Sequence, residues 1–310
     1  MASIDTNREL RDFLRARRGQ LRPQDVGLTG SESVLGSPKS RRVPGLRREE
    51  IAQLAGVSVD YYARLEQGRA RHVSQSVLTA VADALRLNET ERAYFHALAA
   101  PHTGPAPRSG LSPLRVRPAV HRMLEEFNSP GLVLGRGLQI LAMNRLARSF
   151  LFDMEAVPAK DRNLAKWTFL APEARSRYGD WESAASDLAA VLRAEAGAHP
   201  NDRYLGDLVG ELATKSREFC HMWAQHTVSA CLSGTLRIEH PETGTVEVDY
   251  EALHLPEEQD QKLVLYVAAE GSRSADALRL LASWYTPAPD RGSMASDSGA
   301  AGLGQTRPEA

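Results

Sequence analysis

The chain has 310 residues, 42% of them in the hydrophobic set and 25% charged, with a formal net charge of -1 and two cysteines. At about 150 residues per domain this length predicts two domains, and the apolar content suffices for packed cores, which excludes wholesale disorder. Apolar runs such as residues 263–269 fall far below the ~18 residues that cross a bilayer, so no membrane partner is expected.

Residues 1–18 carry Asp5, Glu9 and several arginines without an apolar segment, so no secretory signal is expected and the chain reads as cytoplasmic. Cys220 and Cys231 are expected as buried small apolar side chains in a reducing compartment. The net charge hides an asymmetry. Residues 1–110 hold 17 Lys and Arg against 12 Asp and Glu, a net of +5, and residues 111–310 hold 21 against 27, a net of -6. A basic half beside an acidic one suggests a polyanion as partner of the first half, although so modest an excess needs a motif to decide it.

Leu10, Phe13 and Leu14 recur at helical spacing, so residues 7–19 read as a helix. Residues 20–45, rich in Gly, Pro and Ser, form a loop long for a helical domain. Four more short helices follow at 46–55, 58–67, 74–87 and 88–99, with Ser58 and Ser74 as N-caps and Glu89 and Glu91 favouring the dipole after Asn88. A stretch rich in Pro and Gly over 100–112 is a linker. The second half opens with a helix near 118–127 and strand-like runs at 131–135 and 138–143. Helical spacing then governs Trp181 to Leu192, Leu205 to Leu212, and Phe219 to Trp223. Beyond His226 the period becomes two. Leu236 and Ile238, a Pro-Glu-Thr-Gly turn ending at Gly244, and Val246, Val248 and Tyr250 give a hairpin; residues 263–267 suit a central strand and 274–284 a closing helix. The composition after Thr286 predicts a disordered tail over 287–310.

Residues 46–68 carry the chemistry. Ala52 is small where a second helix crosses closely, Gly56 suits a turn with positive φ, and Ser58 can cap the next helix, which together is helix-turn-helix spacing. On the helix starting at Ser58, Tyr61, Tyr62 and Leu65 join Val57, Ile51 and Leu54 in the core. Val59, Asp60, Ala63, Arg64 and Gln67 fall on the opposite face, which suits a major groove. Arg64 can reach a phosphate or guanine, Gln67 an adenine or the backbone, Asp60 a cytosine and Val59 a thymine methyl. An ordinary i,i+4 pair with Arg64 accounts for Asp60 equally well. Arg48, with Lys39, Arg41 and Arg42 before it and Arg69 and Arg71 after, surrounds that face with positive charge.

Residues 42–69 resemble the phage-repressor-type (XRE) helix-turn-helix domain of actinobacterial regulators. The second half resembles the MmyB-like ligand-binding domain, on Asn144-Arg145, Arg162-Asn163-Leu164, Trp181, His199-Pro200, residues 208–212, Phe219 with Trp223 and His226, His240-Pro241 with Gly244, and residues 277–281. The resemblance covers about residues 10–282, with an extended loop at 29–40 and an unmatched tail beyond Pro287. It implies an α+β chain: an all-α DNA-binding domain of five helices (7–99), the linker, and a PAS-like domain with an antiparallel sheet and added helices (113–286). It further implies a DNA-binding transcription regulator and a fatty-acid-type ligand.

Independently of the resemblance, residues 113–286 read as helices on one face of an antiparallel sheet around an apolar interior. Trp167, Phe169, Trp181, Trp223 and His226 are the pocket candidates, although core packing explains each tryptophan as well. A metal-dependent enzyme built on Cys220, His221 and His226 is disfavoured, because spacings of 1, 5 and 6 do not converge on one helical face and no nucleophile or phosphate-loop motif is present. A protein-interaction adaptor is the other alternative. No cofactor is expected. The partners expected are double-stranded DNA with a pseudo-palindromic operator, read by a homodimer with recognition helices ~34 Å apart, and a small apolar ligand.

Overall fold

The computed structural model describes residues 6–28, 45–70, 73–99, 115–229 and 233–285; the side chains of Gln259 and Tyr285 are excepted. Lys39, Arg41, Arg42, Arg71, Cys231, most of the 20–45 loop, the 100–112 linker and the 287–310 tail lie outside the described residues.

The five helices expected in the first half are all present, as α1 (Thr6–Gln20), α2 (Arg48–Leu54), α3 (Val59–Glu66), α4 (Gln75–Ala84) and α5 (Glu89–Ala99). Their ends follow from short polar side chains. The Ser58 hydroxyl accepts from Tyr61 N at 3.1 Å and that of Ser74 from Val77 N at 3.4 Å, while Asn88 and Glu91 bond reciprocally, side chain to backbone. Gly56, at φ 65°, lets the chain turn between α2 and α3. Phe13, Leu14, Ile51, Tyr62, Leu65 and Phe95 meet in the core. Leu54, expected there, is 37% exposed, and Tyr61 is only half-buried, because the turn after α2 rotates its last residue outward.

Beneath α3 the bundle holds a charge. Glu66 is 1% exposed, and its carboxylate accepts from Arg18 at 3.0 and 3.2 Å and from Arg48 at 3.1 and 3.0 Å. Burial pushes this carboxyl up, but the bonds from Arg18 and Arg48 outweigh it and hold it below the ordinary range. Arg18 also donates to Leu46 O at 2.7 Å, so this knot ties α1, α2 and α3 together.

The second half contains α6 (Pro118–Glu126), β1 (Gly131–Leu134), β2 (Ile140–Met143), α7 (Arg145–Phe150), α8 (Leu164–Leu170), α9 (Pro172–Arg177), α10 (Trp181–Ala198), α11 (Arg203–Lys215), α12 (Arg217–Trp223), β3 (Ser233–His240), β4 (Gly244–Leu255), β5 (Glu258–Val267) and α13 (Arg273–Tyr285). The strands form one antiparallel sheet in the order β2-β1-β5-β4-β3, so the continuously apolar run sits centrally, as expected. The helices do not all lie on one face. Leu132 and Leu134 point into the main helical core, whereas Val133 and Ala142 pack with Val120 and Leu124 of α6 on the other side. Since successive side chains alternate across a strand, β1 is buried on both faces.

Two buried asparagines staple this half. Asn144 accepts from Gly131 N and Ala147 N and donates to Leu124 O and Ser129 O, joining α6, β1 and α7. Asn163 caps α8 through Lys166 N and donates to Gly137 O and the Tyr204 hydroxyl. Cys220, expected to be buried, is exposed on α12, with its thiol donating to Ala213 O.

The two halves share a packed seam. Ala194 of α10 and Val228 join the N-terminal core, and Gly197 lies against the Tyr94 ring so closely that a Cβ there would overlap it.

Candidate DNA-binding face and ligand cavity

The outer face of α3 is open. Val59, Asp60, Arg64 and Gln67 are exposed, Ala63 is half-buried, and Ser58 is exposed at the cap. Arg64 reaches Asp60 at 3.1 Å, with their side chains 57% and 81% exposed. An exposed i,i+4 pair of this kind is worth only about 0.3–0.5 kcal/mol, so a phosphate or base edge can displace it. Arg69 is exposed just beyond the helix. Arg48, half-exposed, is engaged by Glu66 and braces α3 from behind. Sequence periodicity does not reveal this, because Glu66 appears in the sequence as just one more charged residue near the end of a helix.

In the second half, α10 and the inward face of the β4–β5 side of the sheet enclose a cavity of about 250 Å³. This falls just below the ~300–1,000 Å³ usual for ligand pockets. Leu134, Leu164, Leu188 and Val264 form its buried inner wall. Tyr178, Tyr250 and Tyr266 stand along it, and Asp180, Ser183, Asp187, Arg237 and Glu247 lie at its exposed mouth. Asp180 is held in place as the N-cap of α10, accepting from Ser183 N at 3.0 Å, and Gly179 N donates to Arg237 O, which fixes the mouth against β3.

The five aromatic and histidine candidates lie elsewhere; none lines this cavity. Trp167 stacks on Phe152 at 4.4 Å, and Trp181 donates to Thr168 O at 2.9 Å. Phe169 packs edge-on against both Trp181 and Phe219, and Trp223 stacks on Phe219 at 5.2 Å, so these four side chains form a continuous packed row. Sequence spacing picked out large aromatic side chains, which fill the core, whereas the cavity is lined by Tyr250 and Tyr266, which the β4–β5 register pairs, and by Tyr178 after α9.

Residues 116–281 match the family described as the MmyB-like transcription regulator ligand binding domain, and residues 9–95 match a helix-turn-helix domain family. The chain belongs to the MmyB-like transcription regulators. Among curated proteins none matches the sequence. The regulator thus combines a DNA-binding module with a ligand-binding one. Among its described residues no helix is long and apolar enough to cross a membrane, and no group of three or more His, Cys, Asp or Glu is placed to hold a metal ion.

Between the regulator's two modules lies a buried polar cluster. Arg193 of α10, 1% exposed, pairs with Glu9 of α1, donates to Trp223 O and lies over the Trp223 ring at 4.0 Å. Glu9 also accepts from the Tyr94 hydroxyl at 2.7 Å, and Arg17 pairs with Glu91 at 2.5 Å while donating to His226 O. His226 sits 3.5 Å from Glu9 and is pushed down to about 4, by burial first and then by the neighbouring Arg193 and Arg17, with Asp12 opposing. It belongs to the seam between the modules, a role that its sequence neighbourhood does not signal.

Proposed function

We propose that the regulator is a homodimer that reads a pseudo-palindromic operator through the outer face of α3 and senses a small, largely apolar molecule in the sheet cavity. The resemblance suggests a fatty-acid-like compound, and the apolar inner wall supports its hydrocarbon part. The observation that carries the reading is the placement of α10. Its first two turns supply Ser183, Ala184, Asp187 and Leu188 to the cavity, and its last two supply Arg193, Ala194 and Gly197 to the seam with α1 and α5. A ligand that shifts α10 by a fraction of an ångström therefore presses on both Glu9 and Tyr94, and a packed seam responds by switching between arrangements rather than by deforming smoothly. Coupling of this kind is typically about 1–3 kcal/mol, or 5–150-fold in affinity.

The test begins by selecting bound sequences from a random duplex library. Binding to a selected site is then compared between the parent and Arg64→Ala at matched salt. A loss of at least about tenfold, with an unchanged thermal midpoint, is expected for a base or phosphate contact; equal affinity removes Arg64 from the interface. Light scattering of the free and DNA-bound protein tests the dimer, and one chain per operator in both states refutes it.

A further inference from the structure

The side of the sheet away from the helical core is only half covered. There α6 lies over β1 and β2, where Val120 and Leu124 meet Val133 and Ala142, and the face then runs on across β5 and β4. Leu253 and Leu263 are partners in the strand register, with Leu265 and Val267 further along β5 and Leu255 past the irregularity in β4. Alternation turns this strip toward the α6 side, since Val264 and Tyr266 point into the other core. Leu253 is 51% and Val267 52% exposed, and Leu263 and Leu265 are half-buried. The α6 flank above the strip is apolar as well. Glu125 faces Arg145 and Arg148 of α7, so the opposite flank, which carries Met123 and is continued by Val116, looks over β5 and β4. Val116 packs there in one cluster with Leu255 and Leu263, and Met123 is 64% exposed. A contiguous apolar surface of this kind marks an interaction site.

Both edges of the sheet are partly closed, because Tyr178 bridges to Ile238 of β3 and Asn163 to Gln139 beside β2, so a second copy meets a face more readily than an edge. The open face is self-complementary. Asp249 and Glu251, the next outward residues of β4, border the strip, and the exposed crest of α6 carries Arg122; neither Arg122 nor Glu251 joins an ion pair among the described residues. Basic ridge and acid-bordered apolar trough thus stand side by side. A two-fold axis lets each ridge fill the other copy's trough, as an isologous interface requires. The same two carboxylates disfavour an anionic bilayer as the occupant. We infer that this face is the dimer surface: α6 of each copy lies on the β4–β5 strip of the other, with Met123 against Leu253 and Val267 and Arg122 against Asp249 and Glu251. Gln261 donates to Arg115 O at 3.3 Å and Arg117 pairs with Glu257 and Glu258, so the chain arriving from the DNA-binding bundle is pinned at the same hairpin. This rests on the homodimer reading and names the surface that forms it.

The test is sedimentation of the full-length protein, whose chain mass is 34.0 kDa. The parent is expected at twice that mass. Leu253→Glu should raise the dimer dissociation constant at least about thirtyfold, as loss of a central contact does. Its side chain is exposed in the single copy, so an unchanged far-ultraviolet circular dichroism spectrum is expected beside the dissociation. Arg122→Glu should weaken the dimer at least about tenfold, and adding Glu251→Arg should recover most of that loss, because a charge swap restores a pair only where the two groups face each other. Leu280→Glu, on the exposed face that α13 forms with Trp284, should leave the dimer within about twofold. A dimer unmoved by Leu253→Glu or Arg122→Glu, no recovery in the swap, or dissociation by Leu280→Glu alone overturns this surface and leaves the homodimer reading intact. A parent that sediments as a single chain both free and on its selected DNA site overturns both.

Discussion

Glu66 and Arg64 lie two residues apart on α3 and do opposite work. Glu66 is a buried anion whose cost of desolvation is met by two guanidinium groups, so removing its charge strands Arg18 and Arg48 beside an uncompensated interior. Glu66→Gln should lower unfolding free energy by about 3–5 kcal/mol, read from urea titration at pH 7. Arg64→Ala should change it by less than about 0.5 kcal/mol, since the Asp60 pair is exposed. A destabilisation by Arg64→Ala equal to that of Glu66→Gln would mean that α3 is held from its outer face and would count against that face as a DNA surface. Helical spacing alone separated the faces of α3 correctly at Tyr62, Leu65 and Arg64. It did not foresee a buried carboxylate at Glu66, because the pairing reaches across 48 and 18 residues of sequence.

At the scale of elements, α10 is the long helix that belongs to both modules. Its glycine near the C-terminus looks like a helix weakness, at about 1 kcal/mol relative to alanine. In the fold Gly197 admits the Tyr94 ring, which is packed edge-on against Phe13 at 5.1 Å and bonded to Glu9. Gly197→Ala should therefore destabilise despite the better helix former, by about 1–3 kcal/mol in thermal or urea unfolding; a stabilised variant would show that Tyr94 yields freely and that the seam is loose. The short helices α7, α8 and α9 were not legible in the sequence, being six or seven residues long and set by caps and a proline rather than by an extended apolar period. The hairpin of β3 and β4 was legible, since period-two alternation flanked a turn ending in Gly244, which adopts φ 74°.

For the whole molecule, the seam makes stability depend on pH. His226 is neutral when folded, because burial, Arg193 and Arg17 hold its proton affinity down to about 4, while Glu9 is already occupied by Arg193 and Tyr94. A base whose folded value is depressed below its ordinary ~6.5 contributes stability that is fully present above 6.5 and is lost as pH falls toward 4. The Glu66 carboxyl, also held low, adds loss only further into acid. The thermal midpoint should fall between pH 7 and pH 5. His226→Asn, which keeps a residue tolerant of the φ of 53° found there but removes the titration, should fall less. An equal drop in both proteins would assign the acid sensitivity to other groups.

The sequence by itself determined the five N-terminal helices, the longer helices and the hairpin of the second half, the α3 face and the two-module plan, because helical and strand periodicity, caps and turn residues are local properties of a short stretch of chain. Tertiary structure alone decided where the cavity lies, that Arg18 and Arg48 brace α3 through Glu66, and that α10 joins the ligand-binding module to the DNA-binding bundle. Each of these depends on residues remote in sequence meeting in a desolvated interior, where charge and volume must be matched pair by pair and no spacing rule records the partner.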